Sequence, residues 1–171
     1  MSWHTTALFL KADFVQDHAG LLEKLGFGGA APAGATTFDE AASFSNDGIA
    51  IGGADGWTIL VGSLAMFAID PGGLAEIAKK ADAFQMILEG ASDTAGFTWY
   101  TGGKRVRDWL SQQGEVLTDE GKPLAAEKKA FGKPKIDAEQ AVLKLAEALT
   151  LPYEKWEAAE YTQYELPDDA G

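Results

Sequence analysis

Tyr100, Arg105 and Arg107 flank the pair Gly102-Gly103, and no other arrangement in the chain is as suggestive of binding chemistry. Gly-Gly between two runs rich in β-formers signals a two-residue hairpin turn. The hairpin spans roughly residues 97–110, and its register pairs Tyr100 with Arg105, Trp99 with Val106 and Thr98 with Arg107. Strand alternation then places Thr98, Tyr100, Arg105 and Arg107 on one face and Trp99 and Val106 on the other. Two guanidiniums beside a phenol suit an anionic ligand or an acidic patch on a partner, because arginine forms charge-assisted hydrogen bonds to such groups. Arginine packed on tyrosine across a strand pair is equally a structural device. Lys128, Lys129, Lys133 and Lys135, with Phe131, extend the same basic stretch.

Other reactive residue types are scarce or badly spaced. Cysteine is absent, which excludes a thiolate nucleophile, a disulfide framework and a thiolate metal site. His4 and His18 are the two histidines, and they form neither an HExxH motif nor an i,i+4 pair, so they read as solvent-exposed or locally hydrogen-bonded. Ser92-Asp93-Thr94 follows a strand, where sites often sit, but GxSxG is missing and the tripeptide is a good turn sequence. The acid pairs Asp39-Glu40, Asp119-Glu120 and Asp168-Asp169 put neighbours on opposite faces of an extended chain, a poor arrangement for a shared proton. Gly26-Phe27-Gly28-Gly29-Ala30-Ala31 imitates a dinucleotide fingerprint, yet it follows a helix instead of preceding one and runs into Pro32. The resulting expectation is no catalytic residue, no metal and no cofactor.

Net charge is −12, so repulsion opposes nucleic acid at long range. The acidity is uneven: eight of the fourteen basic residues fall within 104–135. The most apolar run, residues 59–69, is broken by Gly62 and Ser63 and is too short to span a bilayer. The N-terminal residues lack the pattern of a signal peptide, which makes the cytoplasm the expected location.

The elements that must position the hairpin can be read in order. Residues 5–11, TTALFLK, read as a central strand. A helix over 14–25 ends at Gly26, with Phe27 folding back on Leu22. Residues 26–36 form a small-residue loop, and a strand is expected near 41–44. Asp55-Gly56 joins a hairpin whose second strand turns Trp57, Ile59 and Val61 to one side. Asp70-Pro71 opens a helix with a stripe of Leu74, Ile77, Ala78 and Ala81. A buried strand covers 84–89, and a short one 115–118 ends at Asp119-Glu120-Gly121. A basic connection over 121–136 leads to a helix capped by Asp137, with Gln140 completing a capping box and Val142, Leu145 and Leu149 as its stripe. Trp156, Tyr161, Tyr164 and Leu166 dock the C-terminal segment, and 167–171 forms a frayed tail.

The stretch EGASDTAGFTWYTGGKRVRDWLSQQGEVLTDEGKPLAAE, residues 89–127, resembles small uncharacterised bacterial domain families with a GF-aromatic hairpin, an arginine on the return strand and a GxPLxxE element. Some proteins of that size and acidity are immunity proteins, an analogy that transfers no catalytic residue. The fold expected is α+β, one domain over 1–171: a mostly antiparallel sheet of five to seven strands with about three packed helices. The leading functional expectation is a non-enzymatic, acidic protein-interaction module of immunity or accessory type, with a protein partner and neither nucleic acid nor membrane. The alternatives are a small-molecule-binding protein or enzyme, with its site near the Ser92–Thr94 turn or on the Tyr100, Arg105 and Arg107 face, and a structural homo-oligomer subunit.

Overall fold

In a computed structural model of the chain, which describes residues 4–14, 17–43, 46–62, 69–132 and 137–167, β1 (His4–Leu10) runs through the middle of one large sheet. Its six-residue buried run leaves no polar face for water, so both sides must be covered. Along the chain follow α1 (His18–Lys24), β2 (Ala31–Thr36), α2 (Phe38–Ala41), β3 (Ile49–Ala54), β4 (Trp57–Gly62), α3 (Pro71–Ile77), β5 (Ala83–Glu89), β6 (Thr94–Thr101), β7 (Lys104–Gln112), β8 (Glu115–Gly121), α4 (Glu127–Phe131), α5 (Ala138–Leu149), α6 (Tyr153–Ala158) and β9 (Tyr161–Glu165). The nine strands lie in the order β2-β9-β3-β4-β1-β5-β6-β7-β8, and every neighbouring pair is antiparallel. The α+β class and the antiparallel sheet are as expected, but the sheet has nine strands instead of five to seven. Among the described residues six helices pack with it, three of them seven residues or longer. No helix among the described residues is long and apolar enough to cross a membrane.

Helices cover the two faces unequally. On the first face Phe9, Ile59, Val61, Phe84, Met86 and Phe97 meet Phe38 of α2, Ala130 of α4, Val142 and Leu145 of α5 and Trp156 of α6. On the second face Leu8, Leu10, Ile49, Ile51 and Leu60 meet Leu21 and Leu22 of α1 and Leu74 and Ile77 of α3. That second layer stops at Ala83 and Tyr100, and none of its buried members comes from β7 or β8. Among the described residues the second face is therefore open over the strands that carry the hairpin.

Local signals explain most boundaries. Gly26 adopts φ +96°, and Phe27 N–H donates to Leu22 O (2.8 Å) while Gly26 N–H donates to Glu23 O (3.1 Å), the paired bonds of a Schellman ending. Asp55 and Gly56 both have positive φ, as a primed hairpin turn requires. Asp70 and Asp137 cap α3 and α5 through the backbone N–H groups of Gly72 (3.2 Å) and Gln140 (2.8 Å).

Four expectations need correction. The first helix starts at His18, because Asp17 caps it and Phe14 N–H is taken by Thr58 Oγ1 instead. Residues 38–41 are helical where a strand was expected near 41–44. Thr37 accepts from Glu40 N–H and the acids of the first turn complement the dipole; Phe44 lies outside the described residues. The small-residue loop contains β2, an edge strand carrying Pro32 and a register shift between Pro32 and Gly34, both usual protections of an edge. The C-terminal segment docks as a strand, β9, between β2 and β3. Residues 168–171 of the expected tail lie outside the described residues.

Candidate functional site

Three rows of side chains cross the open part of the second face. Register sets Leu10, Ala83, Tyr100 and Arg105 in one row; Leu8, Gln85, Thr98, Asp108 and Glu120 in the next; and Thr6, Ile87, Gly96, Leu110 and Thr118 in the third. Gly96 has no side chain to lift Leu110, whose Cδ1 lies where a Cβ at 96 would be (2.7 Å). Ile69 and Leu74, at the start of α3, form a wall at the side. Together they enclose a concavity of about 360 Å³, polar in the middle row and, between Thr6 and Thr118, apolar at Ile87 and Leu110 in the third.

Tyr100 is a deep-set polar group in it. Its residue is 6% exposed, it lines the cavity, and among the described residues its hydroxyl has no hydrogen-bond partner. Burial raises its pKa above the ordinary phenol value, a rise that the neighbouring Arg105 charge partly offsets. The hydroxyl therefore stays protonated through the neutral range and is available as a donor. Arg105 stands beside it, half exposed, with its guanidinium 3.5 Å from Asp108 and 3.6 Å from Glu120. Both distances are ion pairs rather than close hydrogen bonds. Asp108 is the more sheltered of the two acids, its side chain 22% exposed against 67% for Glu120.

Arg107 is not part of this group. The expected pairing of Trp99 with Val106 is replaced by Trp99 with Arg107, because Val106 is an extra residue bulged out of β7. The bulge turns Arg107 to the first face, where it is 3% exposed. Its Nε and Nη2 donate to the two carboxylate oxygens of Glu127 (2.9 Å each), and Nη1 donates to Asp119 and to the carbonyls of Glu120 (3.1 Å) and Gly121 (3.4 Å). Leu124 N–H also donates to Glu127, and the guanidinium sits 5.9 Å from the Phe97 ring centre. The Glu127 hydrogen bonds, more than any other contact, hold the guanidinium pKa above its usual value. This buried pair ties the 122–131 connection to the sheet. Of the basic stretch noted in the sequence, Arg105 and Arg107 are thus met by carboxylates from the same stretch. Lys128 and Lys129 sit exposed on α4, and Lys133 and Lys135 lie outside the described residues.

The remaining candidates serve local order. Ser92 Oγ lies 2.8 Å from Thr94 Oγ1 within the β5–β6 turn, with Asp93 at φ +48°. His4 Nδ1 is 2.7 Å from Glu89, which also accepts from Ala91 N–H (3.0 Å). His18 Nδ1 is 2.9 Å from the Tyr164 hydroxyl, far along the sheet from His4. Gly28 and Gly29 lead into edge strand β2 rather than into a helix N-terminus. Among the described residues no group of three or more His, Asp or Glu is placed to hold a metal ion. No family model, curated protein or solved structure matches this chain.

Proposed function

We propose that this chain is a small-molecule-binding protein whose site is the open concavity over β5, β6 and β7. One observation carries the reading: a tyrosine that is 6% exposed overall, with a hydroxyl that has no protein partner among the described residues, lines a hollow of ligand size. That hydroxyl is not sealed from solvent, so a guest that accepts from it adds a hydrogen bond without breaking one inside the protein. A metabolite library screened by two-dimensional NMR tests this. Binders should shift the resonances of Tyr100, Thr98 and Leu110, and Thr98→Trp, which fills the floor, should abolish them. Binders that shift only other surfaces would discard the reading.

A second reading has its own observation. Val106, Val116 and Leu117 are the exposed large hydrophobics among the described residues, and all lie on β7 and β8, amid Glu115, Asp119 and Glu120. Exposed apolar side chains interspersed with acids along β7 and β8 suit a partner with a basic rim, as in an immunity or accessory protein. A stoichiometric basic partner that co-purifies from the native host, and is lost on Val116→Lys with Leu117→Lys, would support it. Recovery of the same partner with the double variant removes it. A dimer in light scattering that dissociates in the same variant would favour a homo-oligomer instead.

A further inference from the structure

We infer that the concavity takes a zwitterion: a free α-amino acid with an apolar side chain, its carboxylate on Arg105 and the Tyr100 hydroxyl and its ammonium on Asp108. The inference rests on the reading of this concavity as a small-molecule site and adds the chemistry of the guest.

Charge balance decides between candidate head groups. Arg105 and Asp108 face each other at 3.5 Å, near enough to neutralise one another but too far for a close hydrogen bond. A guest bearing only a carboxylate would compete with Asp108 for the guanidinium. It would also leave Asp108 with a second negative charge beside it and Glu120 close by. A guest bearing only an ammonium would satisfy Asp108 but draw it from Arg105, leaving the guanidinium only Glu120, whose side chain is 67% exposed and whose charge water screens. Either case leaves one member of the Arg105–Asp108 pair without its more sheltered opposite charge. A zwitterion forms a four-charge ring with the pair, so neither protein charge loses a partner. Tyr100 adds a neutral donor that stays protonated, directed at the carboxylate side of that ring because it shares its row with Arg105.

The rest of the cavity selects the side chain. The Gln85, Thr98 and Asp108 row is followed, about 7 Å further along the strands, by Ile87 and Leu110, with Ile69 and Leu74 at the side. A head group seated on the polar row therefore extends a side chain over apolar ones. The volume of about 360 Å³ accommodates a residue of leucine or methionine size.

The test uses leucine and its two half-analogues, 4-methylpentanoate and 3-methylbutylamine, titrated by NMR against the full chain. Leucine should shift Tyr100, Thr98 and Asp108, and each half-analogue should bind at least about tenfold more weakly, the effect of losing one charge-assisted contact. Two variants give a crossed pattern that misfolding cannot imitate. Arg105→Gln should weaken leucine and 4-methylpentanoate while sparing 3-methylbutylamine. Asp108→Asn should weaken leucine and 3-methylbutylamine while sparing 4-methylpentanoate. Equal binding of all three compounds at this face overturns the zwitterion and leaves the small-molecule site standing. Failure of leucine to shift the face at millimolar concentration also overturns it, and the library screen then decides the site separately.

Discussion

Arg105 and Arg107 stand two residues apart on one strand and have opposite fates. On the closed first face, Arg107 is buried, bonded to both oxygens of Glu127 and further held by Asp119 and two carbonyls. On the open second face, Arg105 is half exposed and paired at longer range with Asp108 and Glu120. The closed face uses its arginine to fasten a connection to the sheet, and all three guanidinium nitrogens donate to local acceptors. The open face leaves donors uncommitted beside a hollow. Side chains alone do not separate these roles. The bulge at Val106 and the reach of the helices do.

Four measurements probe that contrast. The largest effect is expected from Arg107→Leu, which leaves Glu127 buried without its partner and should cost about 3–5 kcal/mol. Arg105→Gln should stay within about 0.5 kcal/mol of the parent, since exposed ion pairs contribute little. Urea denaturation reads both, and comparable losses would mean that the two faces are not distinct in the way described. Next is Gly121→Ala. Gly121 has φ +88°, and a Cβ there would collide with the carbonyl of the bulged Val106, so a loss of about 2 kcal/mol is expected. Unchanged stability would show that the bulge adjusts freely and does not pin Arg107. Third, Tyr100→Phe removes a hydroxyl that no group among the described residues uses. Its stability should match the parent within about 0.5 kcal/mol, whereas an internal hydrogen bond would reveal itself as a loss of about 1 kcal/mol or more.

The smallest effect concerns pH. Burial lowers the His18 pKa below its ordinary value, opposed by the Asp17 charge. The unfolded chain then binds more protons than the folded one between the lowered value and the ordinary one near 6.5. Stability from this group should therefore be fully present above that ordinary value and decline as pH falls through the window. His18→Gln should flatten this part of the profile slightly, and a parallel profile in the variant would remove His18 as the cause.

Turn and cap chemistry was the most legible part of the sequence. Asp55-Gly56, Gly102-Gly103, Gly26 and Asp70-Pro71 each act through their own backbone preference, so no distant contact can change their meaning. Residues 31–36 and 161–165 were obscure for the opposite reason. Neither APAGAT nor YTQYE has a long apolar alternation, and each is a strand because the other lies beside it. Residues 38–41 went astray because a four-residue apolar pattern fits both periods, and the cap at Thr37 decided for helix. Of the three site residues, Tyr100 and Arg105 do share a cavity. Arg107 does not, since one unpaired residue between them changes the side to which it points. A bulge of that kind has no composition signal; here it is marked only by how β7 meets its neighbours.

The position of β9 has a consequence for how the molecule is made. β9 leaves the ribosome after the other eight described strands, yet it lies inside the sheet, and among the described strands β2 is hydrogen-bonded only to it. While the nascent chain is still short, β1, β3 and β4 can already assemble, but the edge of β3 stays bare and β2 has nothing to join. That bare edge is a template for wrong pairings until β9 arrives. Completion of the β2-β9-β3 wing therefore waits until Glu165 has been synthesised, well over a hundred residues after β2, and it closes one of the longest loops among the described residues.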